Sequence, residues 1–386
     1  MNVDNSFLGY RRVDNRIGVR NYTAVISTVL CSNSVTRKIA DATGTHAFTH
    51  DGGCGQLGFD RDHAIRVLRG IITHPNIGAA LVIGLGCEQI DAASLVYFDA
   101  GKPVQYLKIQ ETGGNIKTVK IGISLVTKMM EETSHMQRER GNIGELVLAT
   151  QCGSTDTGSG LVSNPIVGIA ADQLIAKGGA VILGETGSLY GAAGLLAKRA
   201  VSKSIGNQLL EITDVVERYY QRLGKSITEA NPTPGNIAGG ITTLVEKSIG
   251  GICKGGTTAI QGILESAEQI RGKGLWIMNT SHGIGVCSST DMLASGAQIL
   301  AFTTGKGNPI GSPLAPVIKI TATRETVETL SDIIDFDASP VLYGIESLET
   351  CGTRLFEEII EVANGKPVQA EKTGHTVFAI GSIILG

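Results

Sequence analysis

Short apolar or β-prone runs recur along this chain, separated by stretches of helix length. The runs Tyr22–Leu30, Thr45–Thr49, Ala79–Leu85, 103–108, Glu145–Thr150 and 179–183 have the length of strands. The segments 33–42, 60–73, 117–137, 164–177, 190–203 and 207–223 read as helices, with Ser32 or Asn33 placed to cap the first and Asp60 the second. Further strands fall near 274–279, 298–303 and 315–320. Strand alternating with helix predicts an α/β protein of two or three lobes, built on mostly parallel sheets with flanking helices.

Two segments interrupt the alternation. Met129–Ile143 is strongly polar and ends in Gly-Asn, which reads as a helix end and connector. Asn231–Gly240 is rich in proline and glycine, which excludes a helix interior or central strand. They divide the chain into an α/β domain over 1–143, a second α/β unit over 144–230, and a loop with a C-terminal α/β block over 231–386.

Composition narrows the function. A length of 386 residues exceeds one ordinary core, and 51 glycines imply many tight turns and close backbone approaches. The formal charge of −3 gives no basic field for nucleic acid. No apolar run is long enough to span a membrane and the N-terminus lacks the pattern of a signal peptide, so a cytoplasmic protein is expected. Seven cysteines in such a chain argue for free thiols or metal ligands over a disulfide framework.

Four of those cysteines, Cys31, Cys54, Cys87 and Cys152, each follow a strand-like run within a Gly- or Ser-rich turn. Open α/β sheets bind ligands at the carboxyl ends of strands, so a shared metal or reactive site is one reading; the other is that a small apolar side chain suits a tight buried turn. His50-Asp-Gly-Gly-Cys-Gly-Gln56 gathers imidazole, carboxylate, thiol and amide on one glycine-rich loop, and Cys87 is followed by Glu88. Asp156 and Glu185 stand at predicted strand ends, where a carboxylate can accept a proton or hold a metal; helix capping explains Asp156 nearly as well. Lys306 lies in a glycine-flanked loop suited to an anionic oxygen. Arg11, Arg12, Arg16 and Arg20 crowd into ten residues; the first two read as a solvated basic face, whereas Arg16 and Arg20, with Asn21, read as a fork for a substrate anion.

Taken together, these strings resemble a family. Gly18-Val-Arg-Asn-Tyr22, the His50–Gln56 loop, Gly84-Leu-Gly-Cys-Glu88, Cys152-Gly-Ser-Thr-Asp156, the segment Asn231–Ser248 and Phe302–Gly311 are similar to those of the altronate and galactarate dehydratases and the large subunit of (R)-sulfolactate sulfo-lyase. The resemblance implies a lyase eliminating water from a sugar acid, with sulfite release from sulfolactate as the alternative and a non-catalytic anion- or metal-binding subunit as a third reading. It further implies iron, as a ferrous ion or an iron–sulfur cluster, with His50, Cys54, Cys87 and Cys152 as ligands, Glu88 close by and Cys31 a further thiolate. Glu185 or Asp156 would be the base, and Arg16, Arg20 and Lys306 would hold substrate anions. Single-chain members carry a small domain ahead of this region, so a two-component enzyme with a small partner subunit is expected, together with self-association into a homo-oligomer. After strand 274–279 the chain departs from the family pattern, placing His282 and Cys287 where the pocket wall is expected to differ.

Overall fold

The computed structural model describes residues 5–97, 101–280 and 285–381. β1 (Ser6–Arg11) pairs antiparallel with β2 (Ile17–Gly18). β3 (Tyr22–Ser27), β4 (His46–Phe48), β5 (Ile77–Gly84) and β6 (Val104–Lys108) form a four-stranded parallel sheet in the order β4-β3-β5-β6. β7 (Glu139–Asn142) then returns to β1, completing a small three-stranded sheet. β8 (Val147–Cys152), β9 (Ala180–Leu183), β10 (Ile260–Leu264), β11 (Gly274–Met278), β12 (Ile299–Thr303), β13 (Val317–Thr321) and β14 (Phe336–Asp337) make a seven-stranded parallel sheet in the order β10-β11-β9-β8-β12-β13-β14. The architecture is the expected one, α/β with mostly parallel sheets and flanking helices. The stretches 144–230 and 231–386 share the larger sheet, the first supplying β8 and β9 and the second the other strands.

The reason lies in residue type. β5, β12 and β13 are buried at every position, the pattern of parallel strands covered on both faces. Ile26 and Val82 of the smaller sheet share one core with Ala149, Leu300 and Phe302 of the larger, so the lobes are packed together through apolar side chains. Polar pins cross the same boundary. The His74 ring pairs with the Ala297 carbonyl at 3.1 Å, and the Asn76 amide donates to the carbonyls of Gln298 and Leu314.

Complete burial pulls the His74 pKa down to about 3, so the folded protein holds a neutral imidazole there. As pH falls below the unfolded value of about 6.5, the unfolded chain takes up a proton that the folded chain refuses until about pH 3. Stability should therefore drop through that window on acidification. Thermal melts of His74→Gln from pH 7 to pH 4 should show lower stability at neutral pH but a shallower loss with acid; parallel pH profiles would remove His74 from the acid response.

Several elements differ from the sequence pattern. Glu139–Asn142, within the polar connector, is a strand because β1 supplies its hydrogen-bond partner. The helix expected over 190–203 is broken into Thr186–Leu189, a tight turn and Ala193–Ala197. The next helix starts at Lys203, capped by the Ser202 hydroxyl. Within 231–240 a short helix, Pro234–Ala238, forms with Thr233 as its cap. Ser32 caps nothing through its side chain, because its hydroxyl donates to Val29 and Ile83 carbonyls. Asp60 lies inside its helix, which begins at Gly58. No helix among the described residues is long and apolar enough to cross a membrane.

Candidate active site

The chain runs from β8 to β9 on one flank, then crosses to β12 on the other, so the strand order reverses at β8. A parallel sheet opens a crevice at the carboxyl ends of its strands there. A cleft of about 400 Å³ occupies this position, lined by Cys152 at the end of β8, Glu185 after β9, Phe302 on β12 and the first residues of the helix Gly285–Ala294.

Cys152 and Glu185 form its polar floor. The Cys152 amide donates to Glu185 Oε2 at 2.9 Å, and the thiol Sγ lies 3.3 Å from the same oxygen. Lys254 Nζ approaches that oxygen to 3.6 Å from a side chain only 1% exposed. Burial, then the Glu185 charge, push the Cys152 thiol pKa up, with Lys254 and Lys247 pulling against them. Burial opposes the Lys254 ammonium, yet Cys152 and Glu185 outweigh it and raise its pKa. The floor is therefore a thiol and a lysine nitrogen directed at one carboxyl oxygen.

The backbone sets this geometry. Glu185 has φ +66°, a left-handed conformation that a side chain adopts at some cost. It is held there by the Thr280 hydroxyl, which accepts the Glu185 amide at 2.7 Å, while the Thr280 amide donates to the Thr186 hydroxyl. Ser154, also left-handed at φ +54°, accepts the amides of Gly305 and Lys306 and joins the β8 turn to the loop after β12.

Other predicted residues lie elsewhere. Asp156 is enclosed: Oδ1 accepts the Ser159 amide and hydroxyl, Oδ2 accepts the Thr323 hydroxyl at 2.5 Å, and any side chain at Gly305 would collide with its carboxyl. Capping is its observed role. Lys306 is exposed and is not among the residues lining the cleft. Arg20 spends its guanidinium on the Val19, Val362 and Lys366 carbonyls and both oxygens of Glu371, which uses all of its N–H donors internally. Arg16 pairs with Asp14 and the Thr73 carbonyl, while Asn21 is held between Arg12 and the Thr133 carbonyl. These three sit at or before the start of β3, the end of the sheet away from its cysteines. Arg12 is no solvated face either: it is buried against the Pro75 and Arg20 carbonyls, and burial lowers its pKa to about 10. Arg11 pairs with Glu145.

Cys31, Cys54 and Cys87 are all free and exposed, on the loops following β3, β4 and β5. Those loops are tied to one another. The Leu30 amide donates to the Gly52 carbonyl, the Gly55 amide to Gln89 at 2.7 Å, and the Thr28 hydroxyl to Glu88 at 2.9 Å. Gly53, at φ +95°, allows the Cys54 loop to lie on the β3 turn, where a Cβ would come within 2.2 Å of the Thr28 carbonyl. His50 packs below, one ring nitrogen on the Ser27 carbonyl and the other accepting the Gly52 amide. Burial lowers its pKa. Glu88 is also committed, to the Leu85 and Gly86 amides and the Thr28 hydroxyl. Among the described residues no three His, Cys, Asp or Glu side chains are grouped as one bound ion requires. Cys152 belongs instead to the Glu185 cleft. Three thiols, one on each of three interlocked loops, are the donor chemistry of an iron–sulfur cluster, in which each thiolate binds a different iron.

The thiol loops and the cleft open on the same side of the molecule. The helix Gly58–Thr73 follows the Cys54 loop, and Gly285–Ala294 enters the cleft with its first residues. They pack with His63 Nε2 2.7 Å from Asp291 Oδ1 and with Gly70 against Ala294, so both run in one sense and their starting ends lie together. His282 falls outside the described residues, and Cys287 is buried within the second of these helices.

Sequence reasoning missed Lys254 and Lys247. Lys254 follows Cys253, but that thiol ends a helix and not a strand-like run, and no strand leads directly into either lysine; the available signal was their spacing of seven residues, which puts both on one side of the helix Leu244–Ile252 and its extension.

A cleft at the switch point of a parallel sheet, with a thiol and a carboxyl at its floor and a buried lysine behind them, lies where open α/β sheets bind ligands. Residues 9–134 match the family described as D-galactarate dehydratase/altronate hydrolase, second domain, and residues 143–384 match D-galactarate/altronate dehydratase, C-terminal. The chain is 36% identical over 382 residues to the (2R)-sulfolactate sulfo-lyase subunit beta of Chromohalobacter salexigens, covering 97% of each. It is 31% identical to the altronate dehydratase of Bacillus subtilis over 98% of this chain and 78% of that protein, and 32% identical to that of Escherichia coli over 96% and 76%. The chain belongs to the D-galactarate/altronate dehydratase family, whose members named here are lyases.

Proposed function

We propose that this chain is the catalytic subunit of a lyase that removes water from a sugar acid, with Glu185 as the base. Elimination beside a carboxylate needs a base for the weakly acidic α-proton and a means of releasing a poor leaving group. Glu185 faces the cleft with its charge held by Lys254 and the Cys152 amide, and these contacts also fix the direction in which it can take a proton. The electron pair of the broken C–H bond becomes the double bond as the C–O bond on the next carbon breaks; the departing hydroxide takes up a proton from solvent to leave as water, and the resulting enol tautomerises to the 2-keto-3-deoxy acid. Cys31, Cys54 and Cys87 would hold an iron–sulfur cluster; when bound, such a group supplies Lewis-acid pull on the leaving oxygen. The convergence of Cys152, Glu185 and Lys254 at the β8 switch point carries the reading.

A second reading, release of sulfite from sulfolactate, is favoured by the match over 97% of both lengths with the Chromohalobacter subunit. That relative's designation as a beta subunit supports a small separate partner subunit. The test incubates altronate, galactarate and sulfolactate with the chain, alone and with such a partner, and assays 2-keto-3-deoxy acid and sulfite. A keto-deoxy acid from altronate or galactarate, strongest with the partner present, is expected. Sulfite alone would establish the second reading, and no product from any substrate would end both.

A further inference from the structure

The lyase reading leaves the anionic end of the substrate without a holder, because Arg16, Arg20 and Asn21 bond internally and Lys306 lies off the cleft lining. We propose that Lys247, fixed by Asn231 and Asn236, is the anion anchor of the cleft. The inference rests on that reading for the class of substrate and adds the residue that binds it.

Lys247 lines the cleft from the helix Leu244–Ile252, and Asn231 and Asn236 line it from the segment ahead of that helix. Its Nζ donates to Asn231 Oδ1 at 2.7 Å and to Asn236 Oδ1 at 3.0 Å. An ammonium carries three donors, so these contacts leave one for a ligand. Both acceptors are neutral amide oxygens, which orient the ammonium without cancelling its charge. This separates Lys247 from Lys254, which has Glu185 as counter-charge, and from the arginines at β3, paired with Glu371 and Asp14.

The support is rigid as well as neutral. Asn236 donates from Nδ2 to the Thr155 carbonyl at 3.0 Å, and its Oδ1 also accepts the Thr233 amide and hydroxyl. Thr155 belongs to the turn that carries Cys152, so the anchor and the catalytic floor are parts of one framework. Lys247 is close enough for its charge to favour the Cys152 thiolate. A substrate anion bound at Lys247 would thus be held within the same cleft as Glu185. Val216, Tyr219, Tyr220 and Ile227 line the cleft beside the anchor, the two tyrosines adding phenol hydroxyls to an otherwise apolar wall. A compact ammonium accepts carboxylate and sulfonate alike, without the planar demand of arginine.

Isothermal titration of the full chain with malonate and with sulfoacetate tests the anchor. Each carries two acid groups on a single carbon and cannot undergo 1,2-elimination, so binding is read apart from turnover. At least one should bind the wild type, Lys247→Met should weaken it tenfold or more, and Lys247→Arg should lose less, with circular dichroism and melting temperature unchanged in both. Malonate and sulfoacetate affinities then rank carboxylate against sulfonate. Equal affinity in wild type and Lys247→Met, or no binding of either acid by the wild type, overturns the anchor. Turnover with an unchanged KM in Lys247→Met would also sink it while leaving the lyase reading in place. Lysine-dependent binding without turnover of any candidate substrate would retain the anchor and remove that reading.

Discussion

Glu185→Gln should lower kcat by about 100- to 10,000-fold, the usual worth of a positioned general base, with little change in KM. The substitution keeps the size of the side chain and an oxygen able to accept the Cys152 amide, so the cleft floor stays assembled. What is lost is the charge that can take a proton. Lys254 then keeps an ammonium in a buried position without its counter-charge, and some loss of melting temperature should accompany the kinetic effect. Glu185→Asp is a stricter probe. It keeps the charge but shortens the reach from a backbone fixed by Thr280, so activity should recover only partly. Steady-state rates on the substrate identified by the product assay decide the matter. Activity of Glu185→Gln within tenfold of wild type would falsify the assignment of the base.

How much of this was legible in the sequence follows from what each feature depends on. The strands carrying the cysteines were legible because β3, β5 and β8 are apolar runs ending in glycine- or serine-rich turns, a local signal. β7 was not, since a polar segment becomes a strand only when β1 offers it partners. Glu185 and Cys152 were named separately, yet their contact depends on β8 and β9 lying side by side. Arg20 shows the converse limit. A run of arginines advertises anion binding, but the five acceptors of Arg20 include Val362, Lys366 and Glu371, more than three hundred residues away. Asp156 was open to two readings for the same reason, and Thr323 and Ser159 decide between them. Lys254 and Lys247 acquire significance only from the carboxylate and amides that the fold brings to them.

The thiol loops give a prediction that separates the two sites. Cys54→Ser and Cys87→Ser should each strip most of the iron from protein purified without oxygen, and the double variant should be colourless and free of acid-labile sulfide. Serine keeps the shape of the side chain but offers a harder oxygen donor that holds iron–sulfur clusters poorly. The fold should survive, because both thiols are exposed and the loops are fastened by the Leu30, Gly55 and Thr28 hydrogen bonds, none of which uses sulfur. Cys31→Ser should behave in the same way. Cys152→Ser should differ: iron content is expected to stay at the wild-type level while turnover falls, since that thiol touches Glu185 and lies in the other sheet. Iron analysis and visible absorbance read this without any assay of activity. Full iron in the Cys54→Ser, Cys87→Ser double variant removes the cluster from these loops. Iron lost from Cys152→Ser would instead show that the cleft thiol is a ligand, and that the loops and the cleft close on a single metal centre.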